Sequence, residues 1–397
     1  MLTRVEAARG LKATRPVPGE VLGRPALIAR VKEHLSRELP REAIRNEGLA
    51  LQLFGFVPVQ LDYEAAEYGL LQAQLAGYYE PDDGTMYLAS DLAAEDAEAT
   101  LAHELVHALQ DQRWSLEDRS KYRPGQGDRS EAISALAEGD ATSAMFDVMI
   151  GRVAPGRGKT ALDVPDDVFV AQITQGMGSP DARAPHVMMS SLAAPYIYGT
   201  LFVNALRRRG GWDAVDGAWD DAPTTSEQIL HVDKWLAREP AEAVAPPPFS
   251  ALGQGWAVLD EDSEGELGTR IAFEEWMDPR SAAEASAGWG GDRGVLVAKG
   301  GRAAFAWRLR YDPGVERSSR AFAAVAGALD RALGSGHAPR GDFYCQERVD
   351  RGPIAVARAG TDVIFVLGPA STGTAGWASA GDCALARKWT REIATTP

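Results

Sequence analysis

The sequence predicts an α+β protein: mostly helical through residue 240, then a strand-rich segment from residue 246 onward. Three observations carry this. Apolar residues recur at helical spacing over much of the first part, and a hairpin pattern interrupts them at 76–89. After the Pro246-Pro247-Pro248 triplet, short β-branched and aromatic runs alternate with helical ones. The expected division is a helical region at 1–60, a domain at 61–240, and a C-terminal α+β domain at 246–397 with no charge constellation of its own and no role assigned.

Taken in order, Leu27, Ile28, Val31 and Leu35 mark one helix face, and a second helical run follows Pro40. Residues 76–80 and 85–89 flank Pro81-Asp82-Asp83-Gly84, which reads as a β-hairpin. Its strands could form the rim of a cleft, pairing with an extended peptide, or be purely structural. A helix then spans Leu101 to Leu109, with Leu101, Leu105, Ala108 and Leu109 on one side. Residues 111–129 read as an irregular loop, and Asp128-Arg129-Ser130-Glu131 as a capping box opening a helix through Met149. A loop at 151–167 precedes helical segments near 167–175, 187–209 and 225–237. Beyond the prolines, strands are expected at 294–298, 304–309, 353–357 and 362–367, with helices at 318–334 and 383–394.

Composition narrows the partners. Hydrophobic residues at 45% and charged residues at 24% suit a folded chain with a sizeable core. A net charge of −15 argues against nucleic acid or an anionic membrane as the main partner. No apolar run reaches the length of a transmembrane helix. The opening Met1-Leu2-Thr3-Arg4-Val5-Glu6 shows no apolar leader, which favours the cytoplasm. Had a leader been trimmed away, secretion or the cell envelope would be favoured instead. Cys345 and Cys383 either form one disulfide tying a strand to the last helix or remain two reduced thiols. The oligomeric state stays open.

The chemistry concentrates at His103-Glu104-Leu105-Val106-His107, an H-E-x-x-H motif. Imidazoles four apart on a helix share a face, so both reach one ion, and Glu104 lies beside them to deprotonate a metal-bound water. The bland alternative is a core helix with hydrogen-bonded histidines. A catalytic zinc ordinarily takes a third protein ligand. The version of the motif with a third histidine fails, because Gln110 and Arg113 occupy its diagnostic places. Glu138, 31 residues after His107, is the expected third ligand, and Gly139 beside it permits close helix approach. Glu131 is the runner-up ligand or a supporting partner, and Asp140 is the other nearby carboxylate. His34 and His186 read as ordinary surface or loop residues.

The motif with a glutamate on a following helix resembles the gluzincin class of zinc metallopeptidases, which includes the thermolysin and aminopeptidase N types. The strings His103-Glu-Leu-Val-His-Ala-Leu-Gln-Asp-Gln112, Glu138-Gly-Asp-Ala141 and Thr225-Ser-Glu-Gln-Ile-Leu-His231 are similar to a family of largely uncharacterised bacterial predicted metallopeptidases. The resemblance covers roughly residues 60–240 and, more weakly, Gly288-Trp-Gly-Gly-Asp-Arg293. It implies a zincin-like, thermolysin-like catalytic domain: a small sheet, the metal helix and a helical lower lobe. Thr142 stands where thermolysin has an aspartate, and the gap from motif to ligand is longer. By analogy with the Y-x-K-G of the aminopeptidase N type, Tyr196 is the expected oxyanion donor, with Tyr198 in the lysine place. His231 competes for that role, as a histidine does in thermolysin-like enzymes.

Together these readings expect a Zn²⁺-dependent hydrolase of peptides or proteins, with His103, His107 and Glu138 on the metal and Glu104 as general base. Tyr196 or His231 would complete the site. The alternative is an inactive zincin-like binding or scaffold protein. The N-terminal helices or the loop at 151–167 are candidates for a lid.

Overall fold

The computed structural model describes residues 1–176, 184–334, 341–373 and 376–396. The first part runs α1 (Leu2–Arg9), β1 (Gly19–Leu22), α2 (Arg24–Glu38), α3 (Arg41–Phe54), α4 (Tyr63–Gln74), β2 (Gly77–Glu80), β3 (Thr85–Ala89), α5 (Ala94–Trp114), α6 (Leu116–Ser120), α7 (Gly127–Val153), α8 (Asp166–Gly176), α9 (His186–Asp220), α10 (Ser226–Leu230) and α11 (Val232–Ala237). The second contains β4 (Ala257–Asp262), α12 (Gly265–Glu274), α13 (Pro279–Ser286), β5 (Trp289–Lys299), β6 (Arg302–Tyr311), α14 (Val315–Leu333), β7 (Phe343–Gln346), β8 (Ile354–Ala359), β9 (Asp362–Ser371), β10 (Ala378–Ser379) and α15 (Cys383–Ala394). The α+β class holds. No helix among the described residues is long and apolar enough to cross a membrane.

A three-stranded sheet in the order β1-β3-β2 covers the start of α5. The hairpin pairs in register, Tyr79 opposite Met86 and Glu80 opposite Thr85. β1 departs from the all-helical reading of residues 1–60. It is four residues long and gains its parallel pairing only from β3, some sixty residues on, so no local periodicity announces it. The expected loop at 111–129 is partly helical, since α5 continues to Trp114 and α6 follows.

Helix α7 begins two residues earlier than the capping box predicts, with Gln126 in the cap position, and no side chain caps it. Asp128 is instead buried in the first turn, where its Oδ1 accepts from the Ser226 N–H at 2.7 Å. A tertiary partner has taken over the group that the local motif reserved for capping. The leucine stripe of α5 behaves as its spacing requires. Leu105 and Leu109 are buried with Leu136, Phe202, Leu206 and Trp219 in a core shared by α5, α7 and α9, Leu101 packs against it half-buried, and Ala108 is buried too.

Helices α7 and α9 pack backbone to backbone. A Cβ on Gly139 would lie 2.1 Å from the Gly199 carbonyl carbon, and one on Gly199 would lie 1.9 Å from the Ala135 oxygen. Small residues at these two points are therefore obligatory. The close approach expected from Gly139 is present, but it is with α9 rather than with the histidine helix. Asp140, next in line, makes a structural contact. It is fully buried and takes bonds from Arg9 Nε (2.5 Å) and Trp219 Nε1 (2.8 Å).

The second sheet is antiparallel, in the order β4-β5-β6-β9-β8-β7, with β10 beside β9. α15 covers one face through Trp389 and Ile393. The other face packs Leu296, Trp307 and Phe365 against Phe54 of α3 and Phe273 of α12. The chain therefore returns to its N-terminal helices in space, and the division expected at residues 60 and 246 does not separate the hydrophobic cores. A disulfide joins Cys345 of β7 to Cys383 at the start of α15, which resolves the two readings of the cysteine pair.

Candidate metal centre

α5 supplies both histidines. His103 Nε2 and His107 Nε2 lie 3.0 Å apart, as one-turn spacing on a common face requires. α7 brings Glu138 Oε2 to 3.0 Å from His103 Nε2 and 3.5 Å from His107 Nε2. Ligands at about 2.05 Å from a tetrahedral zinc stand about 3.3 Å apart. The three donor atoms match that triangle, and all lie within 4.8 Å of one another.

Which nitrogen of His107 faces the triangle is set by its neighbours. Gln110 is fully buried, and its Nε2 donates to the Ala137 carbonyl at 3.0 Å. That fixes the amide with Oε1 towards His107 Nδ1, 2.8 Å away. An acceptor at Nδ1 makes Nδ1 the protonated nitrogen, so in the neutral ring Nε2 presents its lone pair to the other two donors. Gln110 was read from sequence only as the residue that spoils the three-histidine pattern. Its place one turn after His107 was the available signal for this role.

The electrostatics favour a positive charge at the triangle. Burial alone would lower the His107 pKa, but Glu138 and then Glu104 lift it to about 9. Burial likewise opposes ionisation of Glu138, yet His107 and His103 hold its carboxyl far below the usual range. A site with this balance takes up a proton or a metal ion in preference to remaining neutral.

Glu104 sits beside the pair, and its Oε2 accepts from the Tyr79 N–H of β2 at 2.8 Å. Because β2 is an edge strand, this bond anchors the glutamate to the rim of the small sheet. Tyr196 on α9 stacks near His103, ring centroids 6.0 Å apart. The Glu138 carboxylate first, then burial, push the Tyr196 pKa well above its ordinary value, so its hydroxyl remains a donor.

The other expected residues lie elsewhere. His231 is half exposed, and its Nε2 pairs with Glu266 Oε1 at 3.0 Å. Tyr198 has the Arg270 guanidinium over its ring and does not take the lysine's part. Glu131, two turns before Glu138, is not in the convergent group and lines a separate cavity. His186 is exposed and pairs with Glu275, while His34 pairs with Glu80.

Residues 256–377 match a family model described as Domain of unknown function (DUF8575). That span runs from the start of the second sheet through β9 and contains none of the convergent residues. No curated protein matches the chain. The matched segment includes Asp292, whose role no local motif marks. Its carboxylate receives five donors: Ser263 Oγ, the Glu264 and Gly265 N–H groups, and the indoles of Trp289 and Trp307.

Proposed function

We propose that this protein is a zinc-dependent peptidase of the gluzincin type, with a zincin-like catalytic core. The observation that carries the reading is the His103–His107–Glu138 triangle, with Glu104 and Tyr196 close to it. The donor set, two imidazoles and one carboxylate at tetrahedral spacing, suits zinc better than calcium or magnesium, which prefer oxygen alone. When bound, the ion supplies Lewis acidity to water and to a carbonyl oxygen.

The chain's own residues do the rest. Gln110 holds the His107 ring in the ligating tautomer. Glu104, tethered through Oε2 to Tyr79, uses its carboxylate to take a proton from the attacking water and returns it to the leaving amine. Tyr196, kept protonated, donates to the oxygen that gains charge as the carbonyl is attacked. β2 is the edge strand of its sheet, and apart from the Tyr79 N–H that Glu104 takes it offers an extended peptide backbone a strand to pair with.

Glu104→Gln tests the reading. The variant should keep stoichiometric zinc and lose hydrolysis of a peptide library by a factor of at least about 10². Unchanged hydrolysis excludes Glu104 as base. Zinc binding without chelator-sensitive hydrolysis in the parent favours the inactive scaffold instead.

A further inference from the structure

A cavity of about 360 Å³ lies between α3, α7, α9, β4 and α12. Its volume is in the range of small-ligand sites, ~300–1,000 Å³. Its lining includes the aromatic rings of Phe54, Phe305 and Trp307. It also includes six carboxylates: Glu47, Glu131, Asp260, Glu261, Asp262 and Glu264. Among the described residues, no lysine, arginine or histidine lines it.

Acidic clusters elsewhere in the fold contain their own cation. Lys234 Nζ sits among Glu227, Glu239 and Asp312, and Arg37 lies on Glu80 and Asp82. Among the described residues, Glu261 is the one carboxylate of the cavity with such a partner, Arg293 at 3.0 Å. Glu131 shows the deficit most plainly: its Oε1 is buried with no hydrogen-bond partner. Glu47 and Glu264 also line the cavity and are exposed. Burial pushes Glu131 up to about 7. Buried carboxylates of this kind are stabilised by a cation that brings its own donors.

The geometry distinguishes between kinds of cation. A single metal ion needs oxygens that converge, yet no three of these carboxylates appear among the groups within 4.8 Å of one another in the described residues. Carboxylates that do not converge, in a cavity also lined by aromatic rings, suit an extended cation with an apolar stem. Position supplies the rest. Glu131 and Glu138 are seven residues apart on α7, about 10 Å along its axis, which an extended peptide spans in about three residues.

We propose that this cavity is a specificity pocket for a basic side chain, arginine or lysine, of the peptide whose scissile bond lies at the His103–His107–Glu138 triangle. The inference deepens the peptidase reading and rests on it for the word peptide, but binding in the cavity is measurable without turnover.

The test uses the full zinc-loaded chain carrying Glu104→Gln, with calorimetric titration of arginine amide, its neutral analogue citrulline amide, and calcium chloride. Arginine amide should bind, and citrulline amide should bind at least tenfold more weakly. Glu131→Gln and, from a different element, Glu264→Gln should each weaken arginine amide at least tenfold with zinc content unchanged. Equal binding of both amides, no binding of arginine amide, or displacement of it by calcium overturns the proposal. If the amides behave as expected while the parent cleaves no peptide, the pocket stands and the peptidase reading fails. Cleavage indifferent to basic residues, with no arginine amide bound, is the reverse case.

Discussion

Introducing a single methyl group at Gly139 tests how the candidate site is held together. The Cβ of Gly139→Ala would stand 2.1 Å from the Gly199 carbonyl carbon and 2.2 Å from its oxygen. Ordinary contact begins near 3.4 Å, so α7 and α9 must separate locally by about 1.3 Å. The obstructing atoms are backbone and have no rotamer to escape into. The overpacking cost therefore sits at or above the upper end of the usual range, about 3 kcal/mol. Alanine recovers about 1 kcal/mol through its better helix propensity. The net expectation is a loss of about 2 kcal/mol or more, read as a lowered urea midpoint with the slope preserved. Site chemistry should change as well, because Glu138 adjoins Gly139 and Tyr196 is three residues from Gly199. Zinc affinity should fall in parallel, whereas Gly151→Ala, on the same helix with open space around it, should do neither. Wild-type stability and zinc affinity in Gly139→Ala would refute the argument that this helix contact positions the glutamate.

Further expectations concern other parts of the same chain. Gln110→Ala removes the acceptor that sets the His107 tautomer and should weaken zinc about 10- to 100-fold, measured by competition with a chromophoric chelator. Asp292→Ala leaves five buried or partly buried donors without their acceptor and should cost more than about 4 kcal/mol, seen by chemical denaturation. Glu131 gives a pH signature of defined sign. Its pKa is raised to about 7 by burial, above its unfolded value, so its contribution is full in acid and lost as pH rises through about 7. Glu131→Gln does not titrate there, so its stability relative to the parent should increase between about pH 5 and pH 8. A relative stability that stays flat or falls over that range contradicts the burial of this carboxyl.

What the sequence determined by itself is local. The i, i+4 spacing of His103 and His107 dictates a shared helical face, and the leucine spacing beside it dictates which face is buried. The Pro-Asp-Asp-Gly turn likewise prescribes the β2–β3 hairpin, because turn chemistry and alternation act within a few residues. Glu138 was legible as a candidate from its mid-helix context next to glycine, and folding brings it against both imidazoles.

Only the tertiary structure decided the remainder. Asp128, written as a helix cap, is taken by Ser226; Asp140 is held by Arg9 and Trp219; His231 turns to Glu266. Tyr79 finds Glu104 through a backbone N–H, a group that every non-proline residue carries and no motif can mark. The acidic cavity draws residues from positions 47, 131 and 260–264. A carboxylate's partner and its burial depend on which distant segments the core brings alongside. Periodicity records only neighbours within a turn or a pleat, so these pairings become visible only once the chain has folded.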